Sequence, residues 1–329
     1  MDFTAAPGPS QPDQNSERRA PWSAAGTPKP NPVFYDDAGL RSGWRIFIYL
    51  SLGLLLYGIE LIPASFLLPV RGKPLAVSTI IVGEAMVFAA AFGAALFMAR
   101  IEGRDSGGYG LPFRNAFGKR FWQGMLIGIC EISLIVGCMA AFGAYSFGPL
   151  AFHGAKIMEW AALWLVAAIL IGLPEEFLFR GYMQFTLADG IGFWPAAVVL
   201  SVLFALVHKT NQGENWIGVA NIFVTGLVWA FALRRTGSLW LPVGWHAAFD
   251  FGESYLYSVP DSGGMFEGHL SNASIAHDRA WLTGGEVGPE GSLLAFVTLL
   301  LGALLIHFCF PAAPKPQKPQ IEKTIGLAA

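Results

Sequence analysis

The chain has 329 residues, of which 54 % are hydrophobic and only 13 % charged, with a mean hydropathy of +0.49. So little charge does not keep a globule dissolved, and the composition implies an integral membrane protein. A formal net charge of −2, with no long basic block, excludes nucleic acid as a partner.

Residues 1 to 40 are rich in Pro, Ser, Asn, Gln and charge and lack apolar periodicity, so a disordered tail is expected there. The first apolar stretch comes too late and runs too long for a signal peptide. Eight apolar segments follow, at 46–68, 76–98, 122–147, 159–187, 194–208, 216–233, 239–258 and 293–310. Most have the ~20 residues that a ~30 Å hydrocarbon core requires; the fifth is short. Strand signals are absent. The expected fold is therefore all-α, a polytopic transmembrane bundle of about eight helices. Glycines such as Gly83, Gly93, Gly124, Gly128 and Gly226 let such helices approach closely. Cys130, Cys138 and Cys309 all fall in apolar segments without metal-ligand spacing, and are expected to pack as small apolar groups.

Positive charge sets the orientation. Arg18, Arg19, Lys29, Arg41 and Arg45 lie before or at the start of the first segment. Arg100, Arg104, Arg114, Lys119 and Arg120 fill the second connection, Arg234 and Arg235 the sixth, and Lys315, Lys318 and Lys323 the C-terminal tail. The odd connections carry less. Both termini are thus expected in the cytoplasm, with tails over 1–40 and 313–329 flanking a membrane domain over 41–312. The expected location is the bacterial inner membrane. The long seventh connection, 252–292, is polar and glycine-rich, with turn-forming stretches at 261–264 and 283–286, and is expected on the non-cytoplasmic side. His269 and His277 lie within it, as does Asn272-Ala273-Ser274, a weak match to a glycosylation acceptor. Both histidines are expected to be solvated.

The fourth segment carries Leu173-Pro174-Glu175-Glu176-Phe177-Leu178-Phe179-Arg180-Gly181-Tyr182. Ionisable side chains inside a membrane helix are costly and demand partners. Glu176 and Arg180 are four apart on one face and can pair within the helix. Glu175 points about 100° away, free to face a cavity. Pro174 is expected to kink the helix just before the pair. Taken alone, these residues fit a structural ion-pair knot as readily as a catalytic site.

Two histidines change that balance. Phe204 and His208 share a face at the end of the fifth segment, and His246 and Asp250 share one in the seventh. A carboxylate can take a proton from water while imidazoles position it or stabilise an oxyanion. The same Glu175, His208, His246 and Asp250 could hold zinc, since imidazole nitrogen and carboxylate oxygen both suit it.

Glu175-Glu176-x-x-x-Arg180, Phe204-x-x-x-His208 and His246-x-x-x-Asp250, in this order, resemble the three signature motifs of the CPBP intramembrane proteases. That family includes the CAAX prenyl endopeptidases and the bacteriocin-processing or immunity proteins. Thr236-Gly237-Ser238-Leu239-Trp240 is similar to the family's approach to its third motif. The resemblance covers 157–258, which becomes the expected catalytic core. It implies hydrolysis of a peptide bond in a membrane-associated or prenylated-type substrate. Glu175 would be the general base, His208 and His246 the water and oxyanion site, and Asp250 its completion, with Glu176, Arg180 and Phe204 in support. Zinc and a metal-free glutamate mechanism are equally compatible. Two other classes use similar residues, a non-catalytic bacteriocin-immunity protein and a proton-coupled transporter, although the repeat symmetry of a transporter is missing.

One geometric difficulty stands against the motifs. The segments place Glu175 near mid-membrane, His208 near the non-cytoplasmic end of a short helix, and His246 only about eight residues from the cytoplasmic side. They meet only if helices tilt or extend beyond those limits.

Overall fold

A computed structural model describes residues 33–36, 39–67, 76–105 and 107–311. It divides into a unit ending at Arg41 and a unit from Ser42 onward. The described part of the first unit is an antiparallel strand pair, β1 (Tyr35–Asp36) and β2 (Gly39–Leu40), with Tyr35 opposite Leu40. The rest of the expected N-terminal tail, and the C-terminal tail over 313–329, lie outside the described residues.

The second unit is helical. Its main elements are α1 (Ser42–Leu67), α2 (Val77–Glu102), α3 (Lys119–Ala141), α4 (Ala155–Glu176), α5 (Met183–Ile191), α6 (Phe193–His208), α7 (Trp216–Thr236) and α8 (Trp240–Phe251), then the single-turn α9 (Ala280–Thr283) and α10 (Leu293–Cys309). Five helical runs are long and apolar enough to cross a membrane: Ser42–Ala64, Val77–Glu102, Lys119–Ala141, Ala155–Ile191 and Trp216–Thr236. These are the helices of an integral membrane protein. α6 and α10 are shorter apolar helices. Local chemistry sets several ends. The Asn215 side chain accepts hydrogen bonds from the Ile217 and Gly218 amides at the start of α7, and Gly237 closes α7 in the left-handed conformation.

Some expected limits move. The third apolar run continues to residue 147, but α3 ends at Ala141 because Gly143 turns left-handed at φ 66°. The chain then forms β3 (Tyr145–Ser146), paired antiparallel with β4 (Ser274–Ile275) of the seventh connection. Strands absent from the sequence pattern therefore exist, as two-residue pairs too short for any alternation to register.

Pro174 does not kink the helix before the carboxylates. α4 runs through it to Glu176, and the break comes after, in a π-helical stretch Phe177–Tyr182 where Gly181 has φ −86° and ψ −119°. Only glycine adopts such a pair without a steric penalty, so the irregularity sits where a side chain is lacking, not where a backbone donor is.

α8 is enclosed. Every residue from Ser238 to Ala248 is buried. Against α3 the approach is backbone to backbone: a Cβ on Gly124 would lie 2.1 Å from the Leu241 carbonyl oxygen, and one on Gly128 2.2 Å from that of Trp245. Gly244 answers from α8, 2.1 Å from the Phe121 carbonyl oxygen by the same measure. Of the other glycines noted, Gly83 has nothing nearby and Gly93 makes an ordinary contact. On its far side the Trp245 indole lies over Gly302 of α10 and donates to buried Glu131 of α3, which also accepts from Thr298 Oγ1 at 3.0 Å.

The seventh connection is not a free polar loop. Ser258, Asp261, Ser271, Thr283 and Ser292 are all buried. Backbone bonds tie it inward: Leu270 donates to Tyr255, Asn272 to Pro149 and Gly263 to Val287. Its polarity serves internal hydrogen bonds rather than solvation.

Candidate active site

Two helical hairpins resolve the difficulty of depth. α4, the π stretch and α5 form one 37-residue run, ~55 Å at ~1.5 Å per residue against a ~30 Å core. Asp189 near its end pairs with Arg45 of α1 at 3.0 Å and with Arg104, so α5 reaches the level where α1 begins and α2 ends. Glu175 lies about 16 residues before the end of α5, and His208 about 15 after the start of α6. Going out and back over equal lengths brings them level. The α7–α8 hairpin does the same for Trp229 and His246, whose rings lie 4.6 Å apart.

The structure brings all seven sequence-predicted residues together. Glu175 Oε2 lies 3.8 Å from His208 Nε2 and 3.9 Å from His246 Nε2. His246 Nε2 also lies 3.5 Å from Asp250 Oδ2, while its Nδ1 faces Glu176 Oε1 at 3.4 Å. Glu176 and Arg180 form the intrahelical pair at 3.2 Å, with side chains 0 % and 2 % exposed. The Arg180 guanidinium stacks over Phe204 at 4.1 Å, and Gly226 of α7 leaves it room. The Glu175 side chain is 30 % exposed, the one wet carboxylate of the adjacent pair.

Hydrogen bonding assigns the ring nitrogens. His208 Nδ1 lies 2.9 Å from the Phe204 carbonyl oxygen, which only accepts, so Nδ1 carries a proton. In neutral His208 the lone pair is then on Nε2, facing Glu175. His246 differs, because both its nitrogens face carboxylate oxygens and both are called on to donate.

Distances decide how well zinc fits. Tetrahedral ligands ~2.0–2.1 Å from zinc stand about 3.4 Å from one another. Among the described residues, the trio of side chains whose ligand atoms all lie within 4.8 Å of one another is Asp250, Glu253 and Asp261; Glu175, His208 and His246 do not form such a trio. The four candidate ligands thus stand wider than a zinc cage. At 3.5–3.9 Å the gaps around Glu175 and His246 are too long for direct hydrogen bonds, and Glu175 Oε2 and Asp250 Oδ2 are buried atoms without a bonded partner.

Several residues near the site were missed by sequence reading. Glu84 of α2 interacts electrostatically with Glu175 and His246. It sits alone in an apolar run, the same signal that singled out Glu175. Trp229 and Asn221 of α7 line a small internal cavity of about 30 Å³ with His208, His246 and Asp250, room for at least one water. Asp261 and Glu290 reach the site's rim from the seventh connection. Burial raises both carboxyls above the ordinary range; hydrogen bonds from Ser254 to Asp261 and from Ser262 to Glu290 oppose this. Neither had a signal, since an acid in a polar loop is unremarked. His269 is half-buried on its own turn and stands outside this group, with burial holding its pKa below the usual histidine range.

Residues 157–252 match the family model described as "Type II CAAX prenyl endopeptidase Rce1-like". The matched stretch is under a third of the chain and is similar to a domain of this CPBP protease family, and its Glu–His cluster is consistent with the active site of such enzymes. Among curated proteins, an "Uncharacterized 24.3 kDa protein" of Escherichia coli is 32 % identical over 111 residues, 33 % of this chain and 50 % of that protein. "Uncharacterized protein YyaK" of Bacillus subtilis is 33 % identical over 97 residues, 26 % of this chain and 32 % of that one. The chain thus spans about half the length of the first and a third of the second. No solved structure matches.

Proposed function

We propose that the chain is an intramembrane endopeptidase that hydrolyses a peptide bond in a membrane-associated or prenylated-type protein substrate. One observation carries the reading: Glu175, 30 % exposed, faces both imidazole Nε2 atoms at 3.8 and 3.9 Å, while each Nδ1 faces an acceptor.

In this reading a water sits between Glu175 and the Nε2 atom of His208, which accepts a hydrogen bond from it. Glu175 takes one proton, the oxygen attacks the scissile carbonyl carbon, and the carbonyl oxygen becomes an oxyanion. His246, with a donor at Nε2, stabilises that charge. The C–N bond then breaks, and Glu175 returns its proton to the leaving amine. Asp250 and Glu176 flank the His246 ring at its two nitrogens, Arg180 pairs with Glu176, and the Phe204 carbonyl orients His208 through Nδ1. Every step is carried by side chains of this chain.

The test is cleavage of a peptide library by the detergent-solubilised protein, comparing wild type with Glu175→Gln. Cleavage by wild type that is lost in the variant supports the proposal. Equal cleavage by both, or none by wild type in lipid or detergent, removes it.

A further inference from the structure

Beside the catalytic set lies a second group of acids. Asp250 lies in the last turn of α8, Glu253 follows in the π-helical turn Gly252–Leu256, and Asp261 comes from the seventh connection. One oxygen from each lies within 4.8 Å of the others, and all three residues are buried. Glu253 is 0 % exposed, and neither of its carboxylate oxygens has a hydrogen-bond partner. Asp250 Oδ2 likewise lacks one. His246 reaches Asp250, but no Lys, Arg or His is paired with Glu253 or Asp261 among the described residues.

Packing three carboxylates together out of water is costly unless something positive joins them. We propose that Asp250, Glu253 and Asp261 bind a hard divalent cation of Ca²⁺ size, which clips the seventh connection to the end of α8. The donor set is all oxygen, which selects hard cations over zinc or copper. The spacing fits as well. Oxygens on opposite sides of Ca²⁺, each about 2.3–2.6 Å away, stand about 4.6–5.2 Å apart, so a trio within 4.8 Å fits one coordination sphere. Mg²⁺, which holds oxygens at about 2.0–2.1 Å, requires the three oxygens closer together than Ca²⁺ does.

The surroundings support a built site. Ser254 Oγ donates to Asp261 Oδ2 at 2.6 Å and fixes that carboxylate, as outer partners of metal ligands do. The Val259 amide donates to the Glu253 carbonyl and holds the chain's return towards Asp261. The wide turn at 252–256 carries Glu253 round to the side of Asp250. Since Asp250 also meets His246, the ion would anchor the helix that presents this histidine. The clip stands whether or not Glu175 activates water.

The test is Ca²⁺ uptake by the full chain in detergent, stripped with chelator and dialysed against Ca²⁺ at neutral pH. Wild type is expected to bind one ion with an affinity better than about 1 mM, the weak end for protein Ca²⁺ sites. Its melting temperature should rise with Ca²⁺ concentration. Glu253→Gln and Asp261→Asn, each checked for an unchanged elution profile, should lose uptake, and Ser254→Ala should weaken it about 10–100-fold. Glu175→Gln should bind Ca²⁺ as wild type does, which separates this site from the hydrolytic one. No uptake by wild type at about 1 mM overturns the proposal in favour of carboxyls neutralised by protons. Uptake unchanged in both Glu253→Gln and Asp261→Asn overturns it too.

Discussion

Glu175 and Glu176 are adjacent in sequence, yet their surroundings predict opposite responses to the same substitution. Glu176 is fully buried, pairs with Arg180 at 3.2 Å and faces His246 Nδ1 at 3.4 Å. Changing it to Gln removes the anion that balances a guanidinium only 2 % exposed. Breaking a buried pair from one side typically costs ~3–5 kcal/mol. At about 2 °C per kcal/mol for a chain of this size, Glu176→Gln and Arg180→Gln should each lower the melting temperature in detergent by about 6–10 °C. Stacking on Phe204 at 4.1 Å adds to the loss when Arg180 goes. Glu175 is 30 % exposed and has no hydrogen bond from either histidine, so Glu175→Gln gives up little packing. Its melting temperature should stay within about 2 °C of wild type or rise. Its turnover should fall at least ~10²-fold, the low end for a lost general base. Paired thermal melts and rate measurements check both halves. A stable, inactive Glu176→Gln beside an unstable Glu175→Gln would reverse the two roles and refute the reasoning from burial.

His208→Ala and His246→Ala should abolish hydrolysis while the protein still elutes as a folded species; wild-type turnover in either removes that residue from the catalytic set. A zinc-selective chelator should leave turnover unchanged, because the four candidate ligands stand wider than a zinc cage, and progressive inactivation restored by added zinc would contradict this. Gly128→Ala should destabilise the protein or displace α8, since the new methyl would lie 2.2 Å from the Trp245 carbonyl oxygen; a wild-type melt with full turnover would count against backbone contact between α3 and α8. Met265→Cys, at an exposed position of the seventh connection, should be labelled by an impermeant reagent from outside cells, and labelling only after lysis would invert the expected orientation.

The helices and the motif residues were legible for one reason. In an apolar run an ionisable side chain stands out, so Glu175, Glu176, Arg180, His208, His246 and Asp250 could be picked by chemistry alone. Glu84 and Glu131 carry the same mark, but neither has a second ionisable residue three or four positions away to form a pattern with. The break at Gly181 was hidden behind Pro174, a louder signal that the helix absorbs. The end of α3 was hidden because Phe142, Ala144 and Tyr145 stay apolar past the left-handed Gly143. Least legible were Asp261 and Glu290. Long-range folding of the seventh connection, not any local pattern, takes them out of water, so their composition reads as solvated loop.

The enclosure of α8 bears on the order in which the protein becomes competent during synthesis. Residues 238–248 are buried throughout, with α3 on one flank and α10 on another, where Trp245 lies over Gly302. The ribosome delivers α3, Glu175 and His208 well before α10. Until α10 is in place, the helix bearing His246 lacks one of its walls, and Glu131 lacks the Thr298 hydroxyl that helps to hold it beside Trp245. On the hydrolytic reading, all four residues of the set are made before the helix that walls in the Trp245 side of α8. On that reading α10 would complete the packing around His246, and the order of segments along the chain would leave the site without one wall until α10 has been made.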